Sequence, residues 1–494
     1  MMGKQQVADA GAPSSRIDFD LIIIGFFTLV VAFALGGADN IFRDGDVSWH
    51  VAAGQWMIEH RQVPLVDPFS YSALGQPWIA HEWLSEVIMG WAYNLAGFAG
   101  LTILFALAMS LTLLIVGLEV RRWAGPVVLG ITSFALSMAL IPFLLARPMV
   151  LAWPVLAFWL VALIRARAHD RAPPLYLAAV MLLWVNLHAS FALGIGLMGP
   201  FALEALIVSK DRRRAFIGWL VVGVACLAAA FLNPNFLRGV LIPFGAFGSS
   251  NINLIQEFRP TDMTYTPGFE VALLLLIGAC LWVGAKVAPL RLFVVLLLLH
   301  LALVHMRHQA LFAIAAAIIV APAIGRAIRG ETERPPASYA FEGKPMGKRL
   351  LVAGAMAAAF MAVAAGRLWS PIVPPESSIN PISALAHVPP ALTRQHVLND
   401  YSLGGPLILR GIRPFMDGRT DVYGEPFFVE FTKVQAGDQA ALDRVDGKWH
   451  FGWTIFPPSR TAIIALMDKR PGWRRLYSDQ YAVVHVRSAP VAAN

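Results

Sequence analysis

Eleven apolar runs are distributed along this 494-residue chain, and they limit its fold more than any other feature. Hydrophobic residues make up 57% of the sequence and charged residues only 14%, whereas about a quarter of the residues of a soluble protein are charged. The sequence therefore predicts a polytopic α-helical membrane protein with about 11 transmembrane helices, although several runs are shorter than the roughly 20 residues of a straight span. The runs lie at about 21–37, 98–119, 126–145, 150–164, 175–190, 191–208, 214–232, 269–285, 291–305, 308–325 and 350–367.

The basic residues indicate how these helices are oriented. The formal net charge is +8, but no basic stripe interleaved with aromatic residues is present, so nucleic acid is not an expected partner. With the amino terminus in the cytoplasm, 19 lysines and arginines fall in the loops on that side and 6 in the opposite loops. This bias predicts an integral membrane protein with a retained first helix and a tail outside the cytoplasm.

Two domains are expected. Residues 1–367 form the transmembrane domain, with a long aromatic first external loop at 38–97 and a further external loop at 233–268. Residues 368–494 are less hydrophobic and form a small extracytoplasmic α/β domain, called the tail below. Its predicted strands include 396–398 and 481–486, and its predicted helices include 440–445 and 461–469. Both cysteines, Cys226 and Cys280, lie in apolar runs and are expected to pack there without forming a disulfide.

Chemically varied polar residues are concentrated on the predicted external side. Segment 43–50, Arg-Asp-Gly-Asp-Val-Ser-Trp-His, sets two carboxylates and a histidine directly after the first apolar run. Ionisable groups at such a boundary usually belong to functional sites because charge near hydrocarbon is costly. The other external turns supply Asp67, Arg147, Asn186, His188, Gln256, Glu257, Arg259, His305, Arg307, His308 and Gln309. One external site is therefore expected.

Each candidate also has an ordinary structural interpretation. Asp44 and Asp46 fit a solvated loop or a helix cap, but their position against the first span favours catalysis or metal binding. The loop tryptophans are expected to anchor the protein in the headgroup zone and not to stack on sugars. Hydrogen-bonded interior positions or interfacial anchoring are the alternatives for His50, Arg147, Asn186, His188 and Arg307.

The layout resembles the GT-C class of membrane glycosyltransferases. More closely, six segments resemble a bacterial family of GT-C-like proteins, namely 44–50, 63–71, 81–84, 184–188, 399–405 and 417–424. The resemblance covers most of the chain and implies an enzyme that takes a sugar from a polyprenyl-phosphate carrier in the lipid bilayer. The Asp-Glu dipeptide of several GT-C members is replaced here by Asp44-Gly45-Asp46.

Glycosyl transfer from such a carrier assigns roles to these residues. The acceptor hydroxyl loses a proton as it attacks the anomeric carbon, and a carboxylate can take that proton. Asp46 is the first candidate base and Asp44 the second, and the two are also candidate ligands for Mg²⁺ or Mn²⁺. Cations stabilise the leaving phosphate, which suits arginine. The candidate substrate-binding residues are His50, Arg147, Asn186, His188, Arg307 and His308. His305 is a further candidate that could assist them.

Two glycine-punctuated turns in the tail supply a last set of candidates. Asp417 and Arg419 fit a salt bridge that orders a turn, which is the favoured interpretation. The alternative is that they form, with Tyr423, an acceptor site on a face that closes over the first loop. The tail is also a candidate docking module for a protein partner.

Two other functions remain open. The same fold can serve a non-catalytic membrane scaffold or accessory subunit. A transporter or flippase is disfavoured because no two similar halves with paired broken helices are evident. Carboxylates that face a cavity open to the membrane core favour the enzyme, and carboxylates that face only water favour the scaffold.

Overall fold

The computed structural model describes residues 25, 28, 41–245, 259–330, 346–370 and 372–488. Helices dominate the part that precedes the tail. They are α1 (Asp46–His60), α2 (Trp83–Trp123), α3 (Pro126–Leu140), α4 (Pro148–Leu151), α5 (Trp153–Ala168), α6 (Leu177–Leu187), α7 (Phe191–Val208), α8 (Arg212–Ala230), α9 (Phe236–Gly245), α10 (Pro267–Val283), α11 (Pro289–Val304), α12 (Gln309–Arg329) and α13 (Met346–Trp369). Single turns of 3-10 helix cover Ile141–Phe143 and Met306–His308.

Ten of the 11 apolar runs coincide with described helices, and the run at 21–37 lies outside the described residues except for Gly25 and Thr28. The adjacent runs at 175–190 and 191–208 are two separate helices, α6 and α7, with a break at His188. Six helical stretches are long and apolar enough to cross a membrane, so the predicted count of 11 spans is not confirmed. They are Trp83–Trp123, Pro126–Phe143, Pro148–Ala168, Phe191–Val208, Arg212–Ala230 and Met306–Arg329.

The bundle has one continuous apolar core to which α2, α5 and α12 contribute their buried faces. Apolar side chains on outer helices remain exposed, such as Trp282 at 90%. Exposed apolar faces on this scale suit a lipid environment. The loop at 233–268 contains the unpredicted helix α9, while Gln256 and Glu257 lie outside the described residues.

Helix α2 changes direction at Ala96 and Gly97. Gly97 adopts φ 57°, a backbone conformation that glycine tolerates far better than other residues. The part of α2 before this kink packs against α1, and Gly54 of α1 and Gly90 of α2 allow the two backbones to touch. A Cβ atom at either glycine would overlap the backbone of the other helix. The first loop therefore presents a rigid helix pair, which supports the site.

The tail is built on a four-stranded sheet, as predicted in outline. Its strand order is β1-β2-β4-β3, with β1 parallel to β2 and the other two pairs antiparallel. Two separate apolar clusters cover the two faces of this sheet. The elements are α14 (Ile382–Ala386), α15 (Pro390–Thr393), β1 (Val397–Asn399), α16 (Gly404–Leu409), α17 (Thr420–Tyr423), α18 (Glu425–Gln435), α19 (Gln439–Trp449), β2 (Trp453–Phe456), α20 (Thr461–Lys469), β3 (Trp473–Ser478) and β4 (Val483–Arg487).

The first loop and the tail share one packed interface. Tyr71 of the loop lies in an apolar cluster of the tail, donates a hydrogen bond to the Val397 carbonyl over 3.0 Å and stacks on His396. Trp49 and Trp78 are 8% and 4% exposed and pack with tail residues. The prediction that these two tryptophans anchor the loop among lipid headgroups is therefore wrong, because the tail covers them.

Candidate active site

Arg147 joins the two predicted carboxylates at the start of α1. Its Nη2 donates to Asp46 Oδ2 over 2.7 Å, and its Nε forms an ion pair with Asp44. The backbone N–H of Asp46 also donates to Asp44 Oδ1 over 2.9 Å. Arg147 directly precedes α4, and this position lies next to the start of α1. The structure thus brings together three residues that the sequence separates by about 100 positions.

This arrangement fits a divalent ion poorly. Asp44 and Asp46 both direct an oxygen to the guanidinium of Arg147, which already supplies a positive charge at the point where a metal would bind. In the part of the chain that the structure describes, no group of three or more His, Cys, Asp or Glu side chains is placed to hold a metal ion. We therefore derive no step through Mg²⁺ or Mn²⁺.

A second polar group surrounds Glu82, the residue before α2. Glu82 Oε1 lies 3.3 Å from His188 Nε2 and 3.7 Å from His81 Nε2. Burial raises the pKa of Glu82, and the positive charges of His81, Arg307 and Arg147 offset only part of this effect. A raised pKa makes the ionised carboxyl group a stronger base for proton transfer.

His188 and His50, two of the histidines predicted for the site, are held neutral by their surroundings. Burial, followed by the charge of Arg307, lowers the pKa of His188 well below its usual value. Burial, followed by the charge of Arg147, does the same for His50. His50 Nδ1 pairs with Glu86 Oε1 at 3.1 Å, one helical turn beyond Glu82, and both partners are almost fully buried. His50 therefore contacts the buried side of α2 next to Glu82.

Arg307 and His308 occupy the 3-10 turn that precedes α12. The positive charge of Arg307 acts on both Glu82 and His188, so this turn faces the same space. His308 Nδ1 lies 3.4 Å from the Leu301 carbonyl, and its ring meets the ring of His305 edge to face. Arg307 is partly exposed.

Asn186 acts as a connector. It accepts a hydrogen bond from Trp83 Nε1 over 2.7 Å and donates to the carbonyls of Leu182 and Leu232 over 2.8 and 3.1 Å. These bonds tie the ends of α6 and α8 to the start of α2. Asn186 also lies on the wall of an open groove of about 570 Å³, lined otherwise by Trp83, Leu84, Ala179, Leu182, Leu183, Leu232, Asn233 and Pro234.

The candidates in the tail form a buried ion network. Arg419 Nη2 donates to Asp417 Oδ2 over 2.6 Å and Arg419 Nη1 donates to Asp67 Oδ1 over 2.7 Å. Tyr423 donates its hydroxyl to Asp417 over 2.7 Å. Burial alone would raise the pKa of Asp417, but the charge of Arg419 and these hydrogen bonds outweigh it and lower the pKa. With Arg419 only 2% exposed, the network joins the tail to the first loop and offers little surface to an acceptor.

The sequence analysis missed four residues that border this space. Glu82 and His81 stood in a segment that carried the family resemblance but received no role. Burial raises the pKa of Asp421, and the charge of Asp421 acts on Glu82. Burial also raises the pKa of Tyr401, and the negative charge of Asp46 is the second-largest cause of this increase. The one available signal was the position of His81 and Glu82 directly before an apolar helix.

Comparison with solved structures gives the fold. The Archaeoglobus fulgidus oligosaccharyltransferase in the apo form matches with a TM-score of 0.58 and 12% identity, over 91% of this chain and 71% of that protein. ArnT from Cupriavidus metallidurans in the apo state matches with a TM-score of 0.52 and 14% identity, over 95% of this chain and 98% of that protein. The chain has the GT-C glycosyltransferase fold.

The GT-C fold is thus established by structure and not by sequence. A second ArnT structure, bound to undecaprenyl phosphate, matches with a TM-score of 0.50 and 15% identity, over 96% of this chain and 99% of that protein. No protein-family model matches the chain, and no curated protein matches it. Identities of this size carry the architecture but do not carry the reaction.

Proposed function

We propose that this protein is a membrane glycosyltransferase that moves a sugar from a polyprenyl-phosphate carrier to an acceptor on the extracytoplasmic face. The observation that carries the proposal is the juxtaposition of an apolar groove with a cluster of cations and carboxylates. Trp83 and Asn186 line the groove, and Glu82, beside Arg307 and His188, directly precedes Trp83. A lipid-linked phosphate has the matching chemistry, since its chain is apolar and its head is anionic.

The proposed reaction uses the residues of the site as follows. The carrier chain occupies the groove, and its phosphate faces Arg307 and Arg147. A carboxylate of the first loop takes the proton of the acceptor as the acceptor oxygen bonds to the anomeric carbon. The bond from that carbon to the phosphate oxygen breaks, and its electron pair stays on the phosphate, where the fixed cations stabilise it. Carrier-bound relatives of the same fold, ArnT with undecaprenyl phosphate and archaeal AglB with dolichol phosphate, support this assignment.

A two-stage experiment tests the proposal. Binding of undecaprenyl phosphate to the protein in lipid nanodiscs is measured first, by native mass spectrometry. A panel of undecaprenyl-phosphate-linked hexoses, pentoses and amino sugars is then incubated with the protein and membrane extracts, and released undecaprenyl phosphate is quantified. We expect saturable binding and release from at least one donor. Absence of binding overturns the proposal, whereas binding without release from any donor favours the non-catalytic scaffold.

The proposal also fixes an orientation. The basic residues are concentrated in alternate loops, so we propose that the amino terminus is cytoplasmic and residues 368–494 are periplasmic. A reporter that is active only in the cytoplasm, fused after Asn494, is then expected to stay silent. An active reporter would place the site on the cytoplasmic side and contradict transfer at the outer face.

A further inference from the structure

The carboxylates at the start of α1 are engaged by a cation. Each directs an oxygen to Arg147, and Asp44 additionally accepts the backbone N–H of Asp46. The tail also approaches Asp46 closely, because a Cβ atom built on Gly418 would overlap the Asp46 carboxylate and lie 2.8 Å from Trp49 Nε1. A base must offer a lone pair to an incoming hydroxyl, and one oxygen of Asp46 already accepts a hydrogen bond from Arg147.

Among the described residues, no arginine is hydrogen-bonded to Glu82. Its Oε1 faces two histidines, while its Oε2 makes no hydrogen bond with any residue in the described ranges. The backbone N–H of Ser190 donates to His188 Nδ1 over 3.0 Å. The proton of the neutral imidazole is therefore on Nε2, which lies 3.3 Å from Glu82 Oε1. Glu82 is held by one oxygen and open at the other.

The charged groups around Glu82 match the two partners of a transfer reaction. Arg307 and Arg147 contribute positive charge at Glu82, as a leaving phosphate requires. Asp421 of the tail contributes negative charge at the same carboxyl group. His81, the remaining titratable neighbour, is partly exposed at the same point.

We propose that Glu82 is the catalytic base and that Asp44 and Asp46 are positioning residues that hold Arg147 toward the phosphate; this inference rests on the transfer reaction proposed above. Glu82 Oε2 takes the proton of an acceptor hydroxyl while the acceptor oxygen bonds to the anomeric carbon. The carbon–oxygen bond to the carrier phosphate breaks, and the phosphate leaves with the electron pair. Protonated Glu82 then returns the proton to water. The acceptor is thereby a hydroxyl compound.

The decisive experiment compares Glu82→Gln, Glu82→Asp and Asp46→Asn with Glu59→Gln, an exposed control at the end of α1. The donor is the undecaprenyl-phosphate-linked sugar that the wild type uses best in the panel above. Removing a general base costs about 10²-fold to 10⁴-fold in rate, so Glu82→Gln is expected to lose that much in kcat with undecaprenyl phosphate binding unchanged. Glu82→Asp is expected to recover part of the rate. Asp46→Asn is expected to raise the KM for the donor and to weaken undecaprenyl phosphate binding, and Glu59→Gln to resemble the wild type.

The pH profile separates a base from a structural residue. Since burial raises the pKa of Glu82, the wild-type rate is expected to rise with pH as Glu82 ionises, and Asp46→Asn is expected to keep that rise. Infrared difference spectra in nanodiscs provide a readout without turnover, because a carboxyl band that titrates in the wild type is expected to vanish in Glu82→Gln. Near-normal kcat in Glu82→Gln, or a severe loss of kcat in Asp46→Asn at unchanged KM, overturns the inference while leaving the transfer reaction intact. A wild type that neither binds undecaprenyl phosphate nor releases it overturns the reaction as well.

Discussion

Arg419 in the tail donates a hydrogen bond to Asp67 in the first loop over 2.7 Å, and the side chains of both are at most 1% exposed. Asp67 in turn accepts hydrogen bonds from the backbone N–H groups of Phe69 and Ser70, so it orders the loop locally. The guanidinium of Arg419 also lies 4.8 Å from the ring centre of Trp78. Arg419 thus links the tail to the first loop within their shared interface.

Arg419→Ala is expected to destabilise the protein strongly. It leaves the carboxylates of Asp67 and Asp417 buried without their cation, a change that costs about 3–5 kcal/mol in comparable cases. Thermal unfolding in detergent and limited proteolysis of the tail measure this effect. Arg444→Ala serves as the matched control, because Arg444 pairs with Glu430 at the surface and its side chain is 58% exposed, where such a pair contributes about 1 kcal/mol or less. Equal stability of the two variants would contradict the proposed role of the network.

Gly418→Ala is expected to disturb the site without removing a functional group. The added methyl group would overlap the Asp46 carboxylate, which Arg147 holds in place, and crowd the Trp49 indole. We therefore expect the tail to shift and donor release to fall at least about tenfold, as misplacement of reacting groups commonly costs. Gly447→Ala is the control, since a Cβ atom there meets no atom within 4 Å, and it is expected to be neutral or slightly stabilising. Wild-type release by Gly418→Ala would show that the contact with Asp46 does not matter.

The helices of the membrane domain were predictable because the apolar runs carry their own signal, which does not depend on tertiary contacts. The strands β1 and β4 and the helices α19 and α20 also followed from local patterns, as in Val397–Asn399 and Thr461–Lys469. Position 97 was not recognisable as a kink, since a single glycine in a long apolar helix gives no such signal. The number of membrane crossings stays a prediction, because helices shorter than a full span do not reveal their path.

The site was only partly predictable. Segment 43–50 stood out because two carboxylates follow an apolar run, but the pairing of both with Arg147 depends on how distant helices pack. The role suggested here for Glu82 rests on contacts with His188, about 100 residues later in the chain. Likewise, Trp49 and Trp78 belong to the residue type that commonly anchors proteins in the headgroup zone, and they are interior residues only because the tail packs on them.

Filling the groove is expected to block the carrier. Ala179 on α6 lines the groove and is exposed, so Ala179→Trp is expected to weaken undecaprenyl phosphate binding by at least about tenfold through loss of space for the apolar chain. Leu274→Trp, on an exposed face of α10, is the control for adding an indole to the lipid-facing surface. Native mass spectrometry of both variants in nanodiscs makes the comparison. Unchanged binding by Ala179→Trp would remove the groove from the mechanism.

The stability of the tail is expected to depend on pH through Asp468. Hydrogen bonds from Arg475 lower the pKa of Asp468 from 3.8 to about 2, with burial opposing and His485 assisting. A carboxyl group whose pKa is lower in the folded state stabilises that state above the unfolded pKa. Its contribution is therefore lost as pH falls from about 3.8 toward 2. Thermal unfolding across this range is expected to show a steeper loss for the wild type than for Asp468→Asn, and parallel curves would exclude this contribution.

The contact between Arg419 and Asp67 joins residues 352 positions apart, and this separation imposes an order on biosynthesis. A ribosome that has delivered the first loop must still translate every later helix before the cation that completes the interface exists. Until then Asp67 and Trp78 have no tail to cover them. A nascent chain is thus unable to complete the interface between the first loop and the tail early. The helices of the membrane domain are synthesised before this interface forms. Completion of translation is therefore required before the tail can cover the first loop.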